Sequence, residues 1–268
     1  MISVLQLGRL DYTIGLELQK KLVDLRKDGR IGDVLLLLEH TPVITLGRNA
    51  KQKNVLASAE QLKARGVEIF ESDRGGDVTF HGPGQIVGYP IFDLRGFAAK
   101  DGRRKTLGVI EYVRRLEEVL IRTCGDFGIP TERVAGLTGV WTEGGERSTK
   151  ARVPEQGKIA AIGVHISRGV TSHGFALNVT TDLTFFDLIV PCGITHKPVT
   201  SMAKELGREP SVEDVEHALS RNFGRVFQSQ MLWLPSLEAL FGETVGVPLK
   251  EPEEFRKLHE TGEDISWA

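Results

Sequence analysis

The chain carries two cysteines, Cys124 and Cys192, and one of them sits where a thiol can work as a nucleophile. Cys192 lies in IVPCGI, between Pro191 and Gly193. Those neighbours suggest a shaped loop in which backbone amides can approach an oxyanion. A thiol attacks as its thiolate, and an ordinary pKa of about 8.5 leaves little thiolate at neutral pH. A cation or base must therefore stand beside it. Lys158 opens the otherwise apolar run KIAAIGV and is a candidate, because a lysine beside buried segments can act as a base. Each residue also has an ordinary alternative. A lone cysteine is commonly a packing residue, and a lysine at the start of a strand usually points to water. Spacing along the chain does not show that the two meet. Cys124, beside Gly125 at the end of a helical pattern, reads as packing.

A second candidate region is RGGDVTFHGPGQ (74–85). Gly75, Gly76, Gly82 and Gly84 lack Cβ atoms, so backbone there can approach a ligand closely. Arg74 can pair with a carboxylate or phosphate, and His81 can bond a carbonyl or shuttle a proton. The segment is neither a Walker A loop nor a dinucleotide fingerprint. By spacing alone, a tight hairpin loop with a surface histidine suits it equally well. Small residues beside Phe175 in His173-Gly174-Phe175-Ala176 can line an apolar slot for an alkyl chain. The histidines at 40, 81, 165, 173 and 196 show no metal-ligand spacing, so no metal is expected. Two basic clusters, Arg48/Lys51/Lys53 and Lys100/Arg103/Arg104/Lys105, are solvated surface or steering patches for an acidic partner.

The elements that must position these residues belong to a 268-residue chain with a formal net charge of -2. Bulk charge gives no support for nucleic-acid binding. No apolar run is long enough to span a bilayer, and MISVLQLGRLDYTIG has no signal-peptide pattern. With two cysteines and no disulfide scaffold, a cytoplasmic, reducing location is expected. Strand and helix signals alternate. Ser3 to Leu7 reads as a strand, and Leu18, Leu22 and Leu25 mark one face of a helix over Tyr12 to Lys27. DVLLLLEH (33–40), VITLG (43–47), VEIFES (67–72) and IVGYPIFD (86–93) read as strands. Ser58 can cap a helix to Arg65. Thr106 can cap another to Arg122, with Val109, Val113, Leu116 and Leu120 on its buried face. GVWTEGG (139–145) is a short strand, and residues 146–157 form an exposed polar loop. KIAAIGVHIS (158–167) and GVTSHGFALNV (169–179) read as adjacent strands. Ser211 opens a helix to about Phe227. The pattern predicts an α/β chain of α+β type, a mixed β-sheet with packed helices.

Four of these segments together resemble the lipoyl(octanoyl) transferase family, octanoyl-[acyl-carrier-protein]:protein N-octanoyltransferases. They are LLLLEHTPVITLGR (35–48), RGGDVTFHGPGQIVGYPI (74–91), GKIAAIGVHISRGVTSHGFALNV (157–179) and IVPCGITHKPVTS (189–201), in the family's order. The resemblance implies the catalytic fold of biotin and lipoate protein ligases. It implies transfer of an octanoyl group from acyl carrier protein to a lysine of a lipoyl domain, the first step of endogenous lipoate synthesis. The family's acyl-thioester cysteine falls on Cys192 and its activating lysine on Lys158. Its substrate-binding segments fall on Arg74, Gly75, Gly76, Asp77, Val78, Thr79, Phe80 and His81, on Ala161, Ile162 and Gly163, and on Gly174, Phe175 and Ala176. No cofactor is implied. The implied partners are octanoyl-loaded acyl carrier protein as donor, and lipoyl domains of 2-oxoacid dehydrogenase E2 subunits and of the glycine cleavage H protein as acceptors. Neither nucleic acid nor membrane is expected.

The catalytic domain is expected over residues 1–210, with 211–268 as a C-terminal helical appendage packed on the same domain. Loop 146–157 looks longer than the family usually carries, and no motif is placed beyond about residue 210. Rival readings are an ATP-dependent lipoate protein ligase, an octanoyl amidotransferase, and a non-catalytic module that binds lipoyl domains or acyl carriers.

Overall fold

DVLLLLEH and QIVGYPI are apolar at nearly every position, which is the pattern of strands covered on both faces. The computed structural model describes residues 1–98, 106–143, 156–194 and 197–241, and it places both at the centre of a sheet. The elements run β1 (Ile2–Leu10), α1 (Tyr12–Lys27), β2 (Asp33–His40), β3 (Val43–Leu46), α2 (Ala59–Ala64), β4 (Glu68–Glu71), β5 (Val78–His81) and β6 (Gln85–Ile91). They continue with α3 (Val109–Asp126), β7 (Thr131–Val134), β8 (Leu137–Thr142), β9 (Lys158–Ser167), β10 (Val170–Asn178), α4 (Met202–Leu206), α5 (Val212–Phe227) and β11 (Met231–Trp233). Among the described residues, eight strands form one sheet in the order β11-β1-β2-β6-β10-β9-β8-β7. β1 pairs in parallel with β2 and β11, and the other neighbours are antiparallel, so the sheet is mixed. A second sheet, β4-β3-β5, stands beside it.

α1 covers one face of the large sheet with Leu18, Leu22 and Leu25, the residues its periodicity selects. α3 and α5 cover the other face. α3 differs from its sequence reading in two ways. Gly108 rather than Thr106 is its N-cap, and its buried face is Tyr112, Leu116, Val119 and Leu120. Val109 is 53 % exposed. The cause is Leu107, which is buried and donates its N–H to Leu94 O, so the chain is already tied down before the helix starts. α2 carries a full capping box between Ser58 and Gln61. Cys124 is fully buried, and burial pushes its thiol up to about 12, which keeps it protonated and inert. α5 packs into the same core as α3, and β11 joins the main sheet beside β1. The cluster at 100–105, His196, most of the 146–157 loop and residues 242–268 lie outside the described residues.

One buried carboxyl on α5 makes stability depend on pH. Glu216 accepts a hydrogen bond from Gln6, and burial, reinforced by nearby Glu39, pushes its pKa up to about 7 from an ordinary 4.5. A carboxyl raised in the folded state supports folding fully below the unfolded value. That support is lost as pH rises through about 7. Glu216→Gln should therefore be more stable than the parent at pH 8, by on the order of 2–3 kcal/mol, and should lose that advantage at pH 5. Urea denaturation at the two pH values checks this. A difference that does not widen with pH would place the charge in water.

Candidate active site

Cys192 is held by a segment tied to the small sheet's loops. Leu188 O accepts from Leu56 and Ala57, and Val190 N–H donates to Asn54 O at 2.7 Å. The next residues form a single turn, Pro191–Gly193, in which Cys192 has φ 56° and ψ 20°. A non-glycine residue in this left-handed region costs about 1–2 kcal/mol. Such strain is stored where the surroundings over-determine the backbone. Those surroundings include Asp77, whose Oδ2 would lie 2.9 Å from a Cβ at Gly193. Asp77 is itself fixed by Asn54 Nδ2 at 2.7 Å and by Val78 N–H at 2.8 Å.

Lys158 arrives from the main sheet. Its N–H donates to Pro198 O at 2.8 Å, and its carbonyl accepts from Thr200 N–H at 3.0 Å. These bonds bring the chain just after the cysteine loop against the start of β9. The side chain is buried instead of pointing to water, and Nζ donates to Cys192 Sγ at 3.3 Å. The amine also lies 4.9 Å from the ring centre of Trp141. A thiol and an amine from two separate elements are thus in direct contact.

They open onto a cleft of about 380 Å³. One wall is β9 and β10, where Gly174 faces Gly163 and Ala176 faces Ala161. Alanine at 174 would place its Cβ 2.1 Å from Gly88 O, so glycine is required for the strands to pack this closely. The other wall is the RGG segment, tied to β9 by Gly75 N–H donating to Val164 O at 3.1 Å. The result is a slot walled by glycine and alanine, a shape that admits an alkyl chain.

Arg74 does not meet a carboxylate among the described residues. Its guanidinium donates to Thr45 O at 2.7 Å, to Thr45 Oγ1 at 2.8 and 3.1 Å, and to Gly75 O at 3.1 Å. Burial pulls its pKa down, and Tyr12 and Cys192 act in the opposite direction. It braces the loop and places a positive charge at the cleft. His81 is on no surface hairpin. It lies in β5, is buried, and bonds Gln85 Oε1 at 2.7 Å. Burial, followed by His40 and Arg74, lowers its pKa to about 3, so the ring is neutral at physiological pH. Gly76, Asp77 and Thr79 line the cleft with Arg74, Gly75 and His81. Val78 and Phe80 turn into the core of the small sheet, where Phe80 stacks on Phe185. Ile162 and Phe175 border the cleft while packing with the α3–α5 core.

The site also contains residues that the sequence reading did not select. Tyr12 and Tyr89 line the cleft, as does His173, which the sequence reading named only as the start of the 173–176 segment. Tyr89 OH bonds His40 Nε2 at 2.6 Å, and Tyr12 OH donates to Ser72 Oγ at 2.9 Å. Burial lowers the pKa of His40 to about 4. The signal available was polar side chains inside otherwise apolar strands, His40 ending DVLLLLEH and Tyr89 within QIVGYPI. Lys51, from one of the two basic clusters, lies at the cleft lining.

This architecture is that of the lipoate protein ligases. A bi-partite lipoate protein ligase from Thermoplasma acidophilum superposes with a TM-score of 0.62 at 16% identity, over 90% of this chain and 89% of that one. The chain itself belongs to the lipoyl protein ligase A/B catalytic domain family, whose model matches residues 11–224. Among its relatives, a Koribacter versatilis protein named Octanoyltransferase is 63% identical over 97% of this chain and 98% of its own length. An Acidobacterium capsulatum protein of the same name is 63% identical over 88% of this chain and 94% of its own.

Proposed function

We propose that this chain is an octanoyltransferase that moves the acyl group through a thioester on Cys192. The first half of this reading is supported by relatives named Octanoyltransferase that share 63% of their residues with this chain over nearly their whole length. The single observation that carries the second half is the 3.3 Å contact between Lys158 Nζ and Cys192 Sγ, both of which line the glycine-walled cleft.

The donor is an octanoyl thioester on acyl carrier protein. Exchange of one thioester for another is nearly balanced in energy, so no ATP is needed. Lys158 takes the thiol proton or holds the thiolate as a cation, and Cys192 Sγ attacks the donor carbonyl. The new C–S bond forms, the bond to the carrier sulfur breaks, and the carrier leaves as a thiol with a proton from the enzyme. In the strained 191–193 turn Pro191 has no N–H and the Gly193 N–H donates to Val190 O at 3.1 Å, so the Cys192 N–H and the charge of Arg74 are the groups left to meet the developing oxyanion. The octanoyl chain lies in the glycine slot. A lysine of a lipoyl domain then attacks octanoyl-Cys192. Its ordinary pKa is about 10.4, so a base must remove its proton. Lys158 fills that role better than His81, whose neutral ring binds protons only near pH 3. An amide forms, and Cys192 is released. Lipoyl domains of 2-oxoacid dehydrogenase E2 subunits and of the glycine cleavage H protein are the acceptors. Exposed Lys51, which lines the cleft, and exposed Arg48, three residues before it, steer acidic partners.

Intact mass spectrometry tests the scheme. The protein mixed with octanoyl-loaded carrier, without ATP, should gain one octanoyl group, and a lipoyl domain added next should remove it. Transfer that proceeds with no adduct at any time, or only with ATP, would sink the covalent route.

A further inference from the structure

Past the glycine slot, the cleft meets a wall shared with a second cavity. His173 lines the cleft, and it also lines a cavity of about 200 Å³ bordered by Leu16, Gln19 and Asp73. Among the described residues, it is the one residue common to both linings. It is held firmly. Its N–H donates to Gln19 Oε1 at 2.7 Å, and its Nε2 lies 2.7 Å from Asp73 Oδ1. The other oxygen of Asp73 pairs with His165 Nδ1 at 2.6 Å, so the carboxylate is anchored from both sides. The ring meets Tyr89 edge-on, with centroids 6.3 Å apart. The backbone has φ 55°, a conformation few non-glycine residues adopt in a strand.

Its position along the sheet gives this wall a role. Lys158 begins β9, and His173 faces Val164 toward the other end of that strand. Gly174, which faces Gly163 in the slot, is the adjacent residue. An acyl chain that leaves Cys192 along Ala161 and Gly163 therefore runs toward His173.

We propose that His173 is the end wall that sets acyl-chain length, held in place by Asp73 and Gln19. The proposal rests on the octanoyl-transfer reading above. Removing the ring joins the two cavities into one longer channel, and the group it then accepts is a longer straight-chain acyl such as dodecanoyl.

The test is a competition. His173→Gly suits the left-handed backbone and removes the ring. The variant and the parent are each mixed with equal octanoyl- and dodecanoyl-loaded carrier protein, and adducts on Cys192 are counted by intact mass. The dodecanoyl-to-octanoyl ratio should rise at least about tenfold in the variant: each methylene that packs against Leu16 and Val23 favours binding by up to about fourfold, and the charged Lys20, Asp24, Lys27 and Asp73 lining the same cavity hold the total well below that ceiling. His173→Asn, which also tolerates this backbone region, is read the same way if the glycine variant does not fold. Adding Leu16→Trp to His173→Gly refills the second cavity and should restore the octanoyl preference. A ratio that stays at the parent value while octanoyl adducts still form overturns the end-wall role, and so does a raised ratio that Leu16→Trp leaves untouched. Absence of any octanoyl adduct on the parent chain indicts the transfer reading itself.

Discussion

Cys192→Ala should lower octanoyl transfer by about ten-thousand-fold or more and abolish the covalent adduct. The size follows from what the side chain does. Removing the nucleophile removes the covalent step entirely, and what remains is alignment of donor and acceptor in the cleft. Folding should change little. Alanine adopts the left-handed backbone at 192 about as reluctantly as cysteine, so the strain is common to both chains. The loss on the Lys158 side is one contact, because its backbone bonds to Pro198 and Thr200 and its position over Trp141 do not involve the sulfur. Initial rates with octanoyl-loaded carrier, intact mass and a thermal melt on the same sample separate chemistry from stability. A rate within tenfold of the parent would remove Cys192 from the reaction path.

Lys158→Met should lower transfer by about 100- to 10,000-fold, the range expected when a positioned proton acceptor and cation is removed. Methionine keeps an unbranched stem against Trp141 and takes away the charge. That makes the variant a fair test of the amine, since the residue is buried and a shorter side chain would leave a hole. Alkylation of Cys192 by iodoacetamide at pH 7 should slow in parallel. If transfer falls while alkylation is unchanged, Lys158 serves the second step, deprotonating the acceptor amine, and has no part in activating the thiol.

Much of the framework was legible because it depends on local pattern. The buried strands at 33–40 and 86–91 and the face of α1 follow from apolar runs and from a repeat matching the helix turn. The readings failed where a distant contact decided the outcome. α3 starts late because Leu107 is captured by Leu94. β11 is three residues long and too short to carry a periodicity, and it exists because β1 offers it an edge. For His81, spacing left a surface hairpin and a binding loop equally open, and the pairing of Val78–His81 with β3, which buries the ring, decided between them.

The residue types and segments of the site were set by the sequence alone. A thiol between proline and glycine, a lysine before an apolar strand, and small residues within two neighbouring strand patterns are local facts that permit nucleophilic chemistry, and the acyl group entered only through the resemblance carried by four segments. Only the tertiary structure decided that Lys158 and Cys192 touch, that Arg74 braces a loop instead of pairing with a carboxylate, and that His173 lines the same cleft as both. The reason is physical. Strand and helix signals arise between near neighbours in the chain. The meeting of residue 158 with residue 192 depends on how β9 pairs with the 198–200 segment and where the Asn54–Asp77 contact holds the turn.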